Sequence, residues 1–365
     1  MAKKGYLILE NGQILEGLSF GKELNVSGEV VFNTGMVGYP EGFTDPSYYG
    51  QILTMTFPLI GNYGVPSTES KQELASSFES TKIHIRALIV TRYVKETSHW
   101  QSTKSLGDWL KEENIPALEG IDTRALTKII REKGVMKGKI TFDSKELKKD
   151  GFTDINSQNL VEIVSPKSQK TYGSGKIRIL FFDCGAKLNQ IRLLLDHDVT
   201  IVRVPWNFNP FTEKTSFDAA MISNGPGDPK MAYQTVKNIR EIIKREIPIL
   251  GVCLGNQILA LAAGANTYKL KYGHRGQNQP VKDEKTGKCY ITTQNHGFAV
   301  DTNSLPEGWQ PWFTNLNDGT NEGIRNTKIP FFSTQFHPED MPGPTDTRWI
   351  FEYFLEEVTK WKKRN

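Results

Sequence analysis

Cysteine is scarce in this chain. Cys184, Cys253 and Cys289 are its only thiols in 365 residues, widely separated and without Cys-x-x-Cys spacing, so neither a disulfide framework nor a zinc site is indicated. An excess of one charge is also missing. The 45 Lys and Arg stand against 41 Asp and Glu, a formal net charge of +4 with no dense basic block, and nucleic acid is not implied as a partner. Long hydrophobic runs are lacking too: Tyr6-Leu-Ile-Leu9 is far shorter than a signal peptide needs, and nothing later approaches a membrane span. These absences predict a reducing, cytoplasmic setting with no membrane association.

What the chain has is length, and 365 residues predict two domains. From Tyr6 to Phe57, short apolar runs such as Glu29-Val-Val-Phe32 and Gln51-Ile-Leu-Thr-Met-Thr-Phe57 alternate with glycine and asparagine turns and read as strands. Residues 105–113 place 106, 109 and 110 on one apolar helical face. Residues 122–131 form a second helix, with Asp122 as N-cap and Gly134 as stop. The first domain, 1–150, is therefore a mixed α/β unit. A polar, lysine-rich stretch ending in Ser165-Pro-Lys-Ser-Gln-Lys-Thr-Tyr-Gly-Ser-Gly175 makes 151–175 the linker. From 176 to 365 strands and helices alternate, which predicts a largely parallel sheet flanked by helices. In such α/β sheets chemistry gathers at the carboxyl ends of the strands.

One stretch at such a strand end organises the rest. Gly251-Val-Cys-Leu-Gly255 lies where the apolar Ile249-Leu250 gives way to a helical pattern, the sulfur counterpart of the nucleophile elbow Gly-x-Ser-x-Gly. The turn strains the backbone at Cys253, so the residues two before and two after it must be small. The following helix aims its first N–H groups at the sulfur. A buried structural cysteine is the competing reading of the pentapeptide.

A cysteine nucleophile needs a base, and His337 in Gln335-Phe-His-Pro-Glu339 follows another apolar strand. On an extended segment Glu339 points to the same side as His337 and can hold its ring. Read alone, His337 could equally be a surface histidine before a proline turn. His84 and His99 belong to the first domain and His197 to a helix-to-strand turn, whereas His274 and His296, in polar loops, are not excluded by spacing. Asn224-Gly-Pro-Gly-Asp-Pro229 offers closely spaced N–H groups for an oxyanion. It lacks the lysine and glycine spacing of a P-loop.

In combination these motifs resemble the glutamine amidotransferase subunit or domain of carbamoyl phosphate synthetase, within the class I amidotransferases that use a Cys-His-Glu triad. The resemblance covers essentially the whole chain. It rests on Ser223-Asn-Gly-Pro-Gly-Asp-Pro229, Gly251-Val-Cys-Leu-Gly255, Gln294-Asn-His-Gly-Phe298 and Gln335-Phe-His-Pro-Glu339, and in the first domain on Thr34-Gly-Met-Val-Gly-Tyr-Pro-Glu41, Thr44-Asp-Pro-Ser-Tyr48 and Gly120-Ile-Asp-Thr-Arg124. It implies hydrolysis of L-glutamine, with ammonia passed to a large synthetase component that makes carbamoyl phosphate from bicarbonate and ATP. No metal or cofactor is implied in this chain; ATP and bicarbonate belong to the partner.

By the same resemblance Cys253 is the nucleophile, His337 the base and Glu339 its orienting group. The N–H groups of Leu254 and Gly227 form the oxyanion hole, and Ser47, Gly225, Gly227, Leu254, Gln257, Asn295, Gly297 and Phe298 line the glutamine site. Asn256 departs from the pattern, since histidine is common there in the glutamine-using branch and asparagine resembles the ammonia-dependent branch. The alternative is a catalytically weak regulatory or structural domain of an ammonia-using synthetase.

Overall fold

Seven short strands close into a barrel in the first half of the computed structural model, which describes residues 2–68, 70, 71, 74–148 and 150–364. Around the barrel they run Lys4–Leu9, Met136–Thr141, Val26–Asn33, Gln51–Met55, Ala87–Ile89, Ala117–Glu119 and Ile14–Ser19. The apolar runs of the sequence supply its core, with Leu7, Val30, Ile52 and Leu88 fully buried. Both expected helices are present, Leu106–Glu112 and Thr123–Lys133. Asp122 caps the second by accepting the Ala125 N–H at 2.8 Å, and Gly134 ends it at φ 99°. This unit spans Met1–Gln158.

The second unit, Asn159–Asn365, is built on one ten-stranded sheet. Across it lie Lys170–Tyr172, Val199–Pro205, Ile177–Asp183, Ala219–Ile222, Ile249–Val252, Phe331–Thr334, Asn321–Asn326, Trp309–Asn315, Thr267–Asp283 and Cys289–Val300. From Val199–Pro205 to Phe331–Thr334 neighbouring strands are parallel. Beyond them the pairing is antiparallel, ending in the long hairpin Thr267–Asp283 with Cys289–Val300. Leu180, Phe182, Ile222 and Ile249 from the sheet pack with Leu254 and Ile258 of the helix Leu254–Ala263. The last helix, Trp349–Arg364, buries Phe351, Phe354, Leu355 and Val358, the face its three- and four-residue spacing predicts.

Two expectations need correction. The stretch 151–175 is more than a linker: it contains the short helix Leu160–Val164 and the strand Lys170–Tyr172, which pairs with Val199–Pro205. That strand is a polar edge with Tyr172 as its one buried residue, so composition alone makes it look like a connector. His274 and His296 do not lie in loops. They face each other as register partners on the long hairpin and are both buried. Strict alternation is broken there by register shifts between Lys269 and His274 and between Gly276 and Gln279, which hides the strands from a period-two reading. Among the described residues no helix is long and apolar enough to cross a membrane.

Candidate active site

Cys253 stands at the apex between the strand Ile249–Val252 and the helix Leu254–Ala263, with φ 54° and ψ −102°. A non-glycine residue at positive φ is strained and must be held by its surroundings. Here its N–H donates to the Thr334 carbonyl at 2.7 Å, locking the turn to the neighbouring strand. The flanking glycines leave no room for substitution. A Cβ on Gly251 would lie 2.5 Å from the Gly255 oxygen, and one on Gly255 would lie 2.2 Å from the Ile222 oxygen. The small-residue requirement read from the sequence is thus a backbone-to-backbone contact.

The same neighbouring strand leads into His337. Val252 is paired with Thr334, and three residues later the His337 N–H donates to the Thr293 carbonyl at 2.9 Å, which fixes where the imidazole begins. His337 Nδ1 is 2.7 Å from Glu339 Oε1, both side chains being buried. The carboxylate can only accept, so Nδ1 carries the proton and Nε2 is left for Cys253. Nε2 has no other partner at hydrogen-bond distance. Burial opposes charge on His337, but the nearby Glu339 and Cys253 outweigh it and raise its pKa to about 10. Burial also opposes charge on Glu339, yet Lys187 and His337 hold its carboxyl down at about 2. The pair is an ionised one in a dry site, where such groups persist only with further support.

That support comes from the N-terminal end of the helix Leu188–Leu195. Lys187 Nζ is 3.5 Å from Glu339 Oε1, and Gln190 Nε2 donates to the same oxygen at 3.1 Å. Lys187 Nζ also donates to the Asp340 carbonyl, and Asn189 Nδ2 to that of Glu339. Gln190 Nε2 further donates to Asn224 Oδ1 at 2.9 Å, which ties this end of the helix to the loop of Gly225 and Gly227. Gly225 lies against Leu254, whose Cδ2 would be 2.8 Å from a Cβ there, and Gly227 adopts φ 85°.

On the other side of the sulfur, Cys253 Sγ is 3.7 Å from the Asn295 carbonyl and 3.7 Å from Gln335 Nε2. Gln257 Nε2 donates to the Phe298 carbonyl at 2.8 Å and to Gln335 Oε1 at 3.1 Å. Cys253, Leu254, Gln257, Asn295 and Phe298 are thereby brought together, with Gly297 in the same strand as the last two. Ser47 lies in the other unit, buried in the 3-10 turn Pro46–Tyr48, where its N–H donates to Asp45 Oδ1 at 2.9 Å.

Residues 7–140 match the family model of the carbamoyl-phosphate synthase small chain, CPSase domain, and residues 180–357 match that of class-I glutamine amidotransferases. The chain belongs to the carbamoyl-phosphate synthase small-chain family. It is 51% identical over 354 residues to the multifunctional protein CAD of Squalus acanthias, covering 96% of this chain and 16% of that protein. It is 49% identical over 376 residues to the multifunctional protein pyr1-3 of Dictyostelium discoideum, covering 98% of this chain and 17% of that one. Human mitochondrial carbamoyl-phosphate synthase (ammonia) is 49% identical over 366 residues, which cover 99% of this chain and 24% of the human protein. The chain therefore spans a quarter or less of the length of these relatives.

Several contributors in this small-chain site escape a reading of the sequence. Lys187 and Gln190 carry no motif of their own, and Gln335, though it opens Gln335-Phe-His-Pro-Glu339, has no role read from that motif. The first two sit just past the carboxyl end of the strand Ile177–Asp183, where a parallel sheet gathers its chemistry, and that placement was the available signal. Gln335 lies two residues before His337 and touches the sulfur only because its amide is turned by Asn256 and Gln257.

Proposed function

We propose that this chain hydrolyses L-glutamine to glutamate and ammonia, and that it supplies the ammonia to a large ATP-dependent synthetase component forming carbamoyl phosphate from bicarbonate. The carbamoyl phosphate would serve arginine or pyrimidine biosynthesis. The observation that carries this reading is the buried His337–Glu339 pair at 2.7 Å, with its second ring nitrogen left to a cysteine at an elbow apex. A structural cysteine needs neither the strained turn nor an ionised partner pair.

Cys253 Sγ attacks the side-chain amide carbon of glutamine, and its proton resides on His337 Nε2. The amide oxygen becomes an oxyanion facing the N–H groups of Leu254 and Gly227; the first of these opens a helix and has no acceptor within it. Collapse expels ammonia with the proton from His337, leaving a γ-glutamyl thioester. Water, deprotonated by His337, then releases glutamate and the free thiol. Ser47, Gly225, Gln257, Asn295, Gly297 and Phe298 complete the reading as the glutamine-lining residues. A cytoplasmic setting accords with the three free cysteines.

The second reading, a catalytically weak domain of an ammonia-using synthetase, starts from Asn256 and from the ammonia-type human relative. Asn256 is fully buried and wholly engaged: it accepts from Ser333 Oγ at 2.7 Å and donates to Gln335 Oε1 at 3.1 Å. It thereby braces Gln335 and displaces no member of the triad. The test is labelling with a glutamine-derived electrophile, alongside glutamate release by the parent and by Cys253→Ala. Loss of both label and turnover in the variant is expected. A parent chain that neither labels nor releases glutamate, with or without a synthetase component, would establish the second reading.

A further inference from the structure

A second buried cluster lies in the same unit. His274, His296 and Glu322 each offer one ligand atom, and the three atoms lie within 4.8 Å of one another. The hydrogen bonds around them fix what each atom can offer. His296 Nδ1 is 2.8 Å from the Phe298 carbonyl, which only accepts, so in the neutral ring the proton is on Nδ1 and a lone pair on Nε2. That Nε2 faces Glu322 Oε1 at 3.7 Å and Gln294 Oε1 at 3.4 Å.

The orientation of Gln294 is also determined. The Thr292 hydroxyl donates to the Gln279 carbonyl at 2.9 Å and can only accept from Gln294 Nε2, which leaves Oε1 turned inward. His274 Nε2 is 2.8 Å from Asp318 Oδ2, placing its proton outward and its Nδ1 lone pair 3.3 Å from Glu322 Oε1. Asn315 Nδ2 donates to Glu322 Oε1 at 3.1 Å, while Glu322 Oε2 is buried with no partner at all.

The cluster is thus a set of acceptors turned toward each other. A proton on His274 Nδ1 would meet Glu322 Oε1 but leave His296 Nε2 without a donor, whereas one divalent cation would serve all three ligand atoms. Two imidazoliums with ring centroids 4.9 Å apart would repel, and a single metal ion replaces both. The 3.3 Å separation matches neighbouring corners of a tetrahedron with bonds of about 2.0–2.1 Å, the geometry of zinc bound by histidine and carboxylate, and the 3.7 Å pair would close by a few tenths of an ångström on binding. Each histidine also has the outer partner typical of a metal ligand, a carboxylate on one and a backbone carbonyl on the other.

We propose that His274 Nδ1, His296 Nε2 and Glu322 bind a zinc ion. The ion cross-links the hairpin strands Thr267–Asp283 and Cys289–Val300 to the strand Asn321–Asn326, and its three ligands carry no spacing motif. Its placement matters because His296 adjoins Asn295, whose carbonyl meets the Cys253 sulfur, and Phe298, whose carbonyl is held by Gln257. The metal is a brace for that wall and takes no part in the chemistry. Asp318, with 41% of its side chain exposed, puts one edge of the cluster within reach of solvent.

The experiment uses the full chain carrying Cys253→Ala, so that zinc on the thiol is excluded. The protein is purified without chelator, equilibrated with zinc against a competing chromophoric chelator, and assayed for metal by elemental mass spectrometry. About one zinc per chain is expected, with a rise in melting temperature on binding. Glu322→Gln and His274→Asn should each lose the ion. Failure of the Cys253→Ala chain to hold zinc under these conditions overturns the proposal, whatever the variants do. So does retention of zinc by both variants with parental affinity. Because the readouts are metal content and melting, they stand apart from glutamine hydrolysis.

Discussion

Glu339 is pressed upon from two sides, by His337 on the catalytic face and by Lys187 behind it, and the two cations do different work. His337 shares a hydrogen with it; Lys187 supplies charge at 3.5 Å without touching the ring. Removing His337 deletes the proton carrier, whereas removing Glu339 only loosens it. His337→Ala is expected to lower glutamate release by on the order of 10⁴-fold or more, and Glu339→Ala to be ten- to a hundredfold less severe, in steady-state kinetics. The pair also sets a pH signature. Glu339 is depressed from 4.5 to about 2, so its stabilisation is present above pH 4.5 and lost as pH falls toward 2. His337 is raised from 6.5 to about 10, so its share is present below pH 6.5 and lost as pH rises through 10. Thermal melting across pH should therefore fall less steeply at both ends in Glu339→Gln than in the parent. Unchanged limbs would mean that the pair does not contribute to folding.

At the scale of elements, the site is a product of strand ends. Gly251-Val-Cys-Leu-Gly255 and Gln335-Phe-His-Pro-Glu339 each follow a short apolar run, which marked both as strand ends; that the two strands are neighbours emerges only from the sheet. The tight approach of the elbow to Ile222 gives a prediction of its own. Gly255→Ala should destabilise the chain by about 3 kcal/mol, measured by chemical denaturation, because its Cβ meets backbone that cannot yield. What was not legible has a physical reason in each case. Lys170–Tyr172 is a polar edge strand with one buried side chain. The hairpin bearing His274 and His296 interrupts its alternation with bulges. Lys187 and Gln190 act through contacts that only the folded sheet creates, with no local pattern to record them, and the motif that holds Gln335 does not disclose its contact with the Cys253 sulfur.

At the scale of the whole molecule, the chain carries a barrel unit, Met1–Gln158, that holds none of Cys253, His337 and Glu339. A glutaminase releasing free ammonia to water has no need of a further domain with its own core. On the proposed function the unit would serve as a docking platform for a synthetase component, and docking is then expected to raise turnover. Sedimentation of the chain with purified synthetase component at micromolar concentration should show a complex. Glutamate release should increase severalfold when ATP and bicarbonate are added. An unchanged rate and no complex would mark the chain as an independent amidase.

The Gln190 NH2 group has two hydrogens, one spent on Asn224 Oδ1 and the other on Glu339 Oε1. The loop presenting the oxyanion donors and the carboxylate steering the imidazole are consequently gauged from a single nitrogen. Their positional errors are correlated: a shift of the helix Leu188–Leu195 carries both along and preserves their mutual alignment. Lys187, whose N–H donates to the same Asn224 Oδ1 at 2.9 Å and whose Nζ stands 3.5 Å from the same Glu339 Oε1, repeats the link, so the alignment is held twice from one end of one helix.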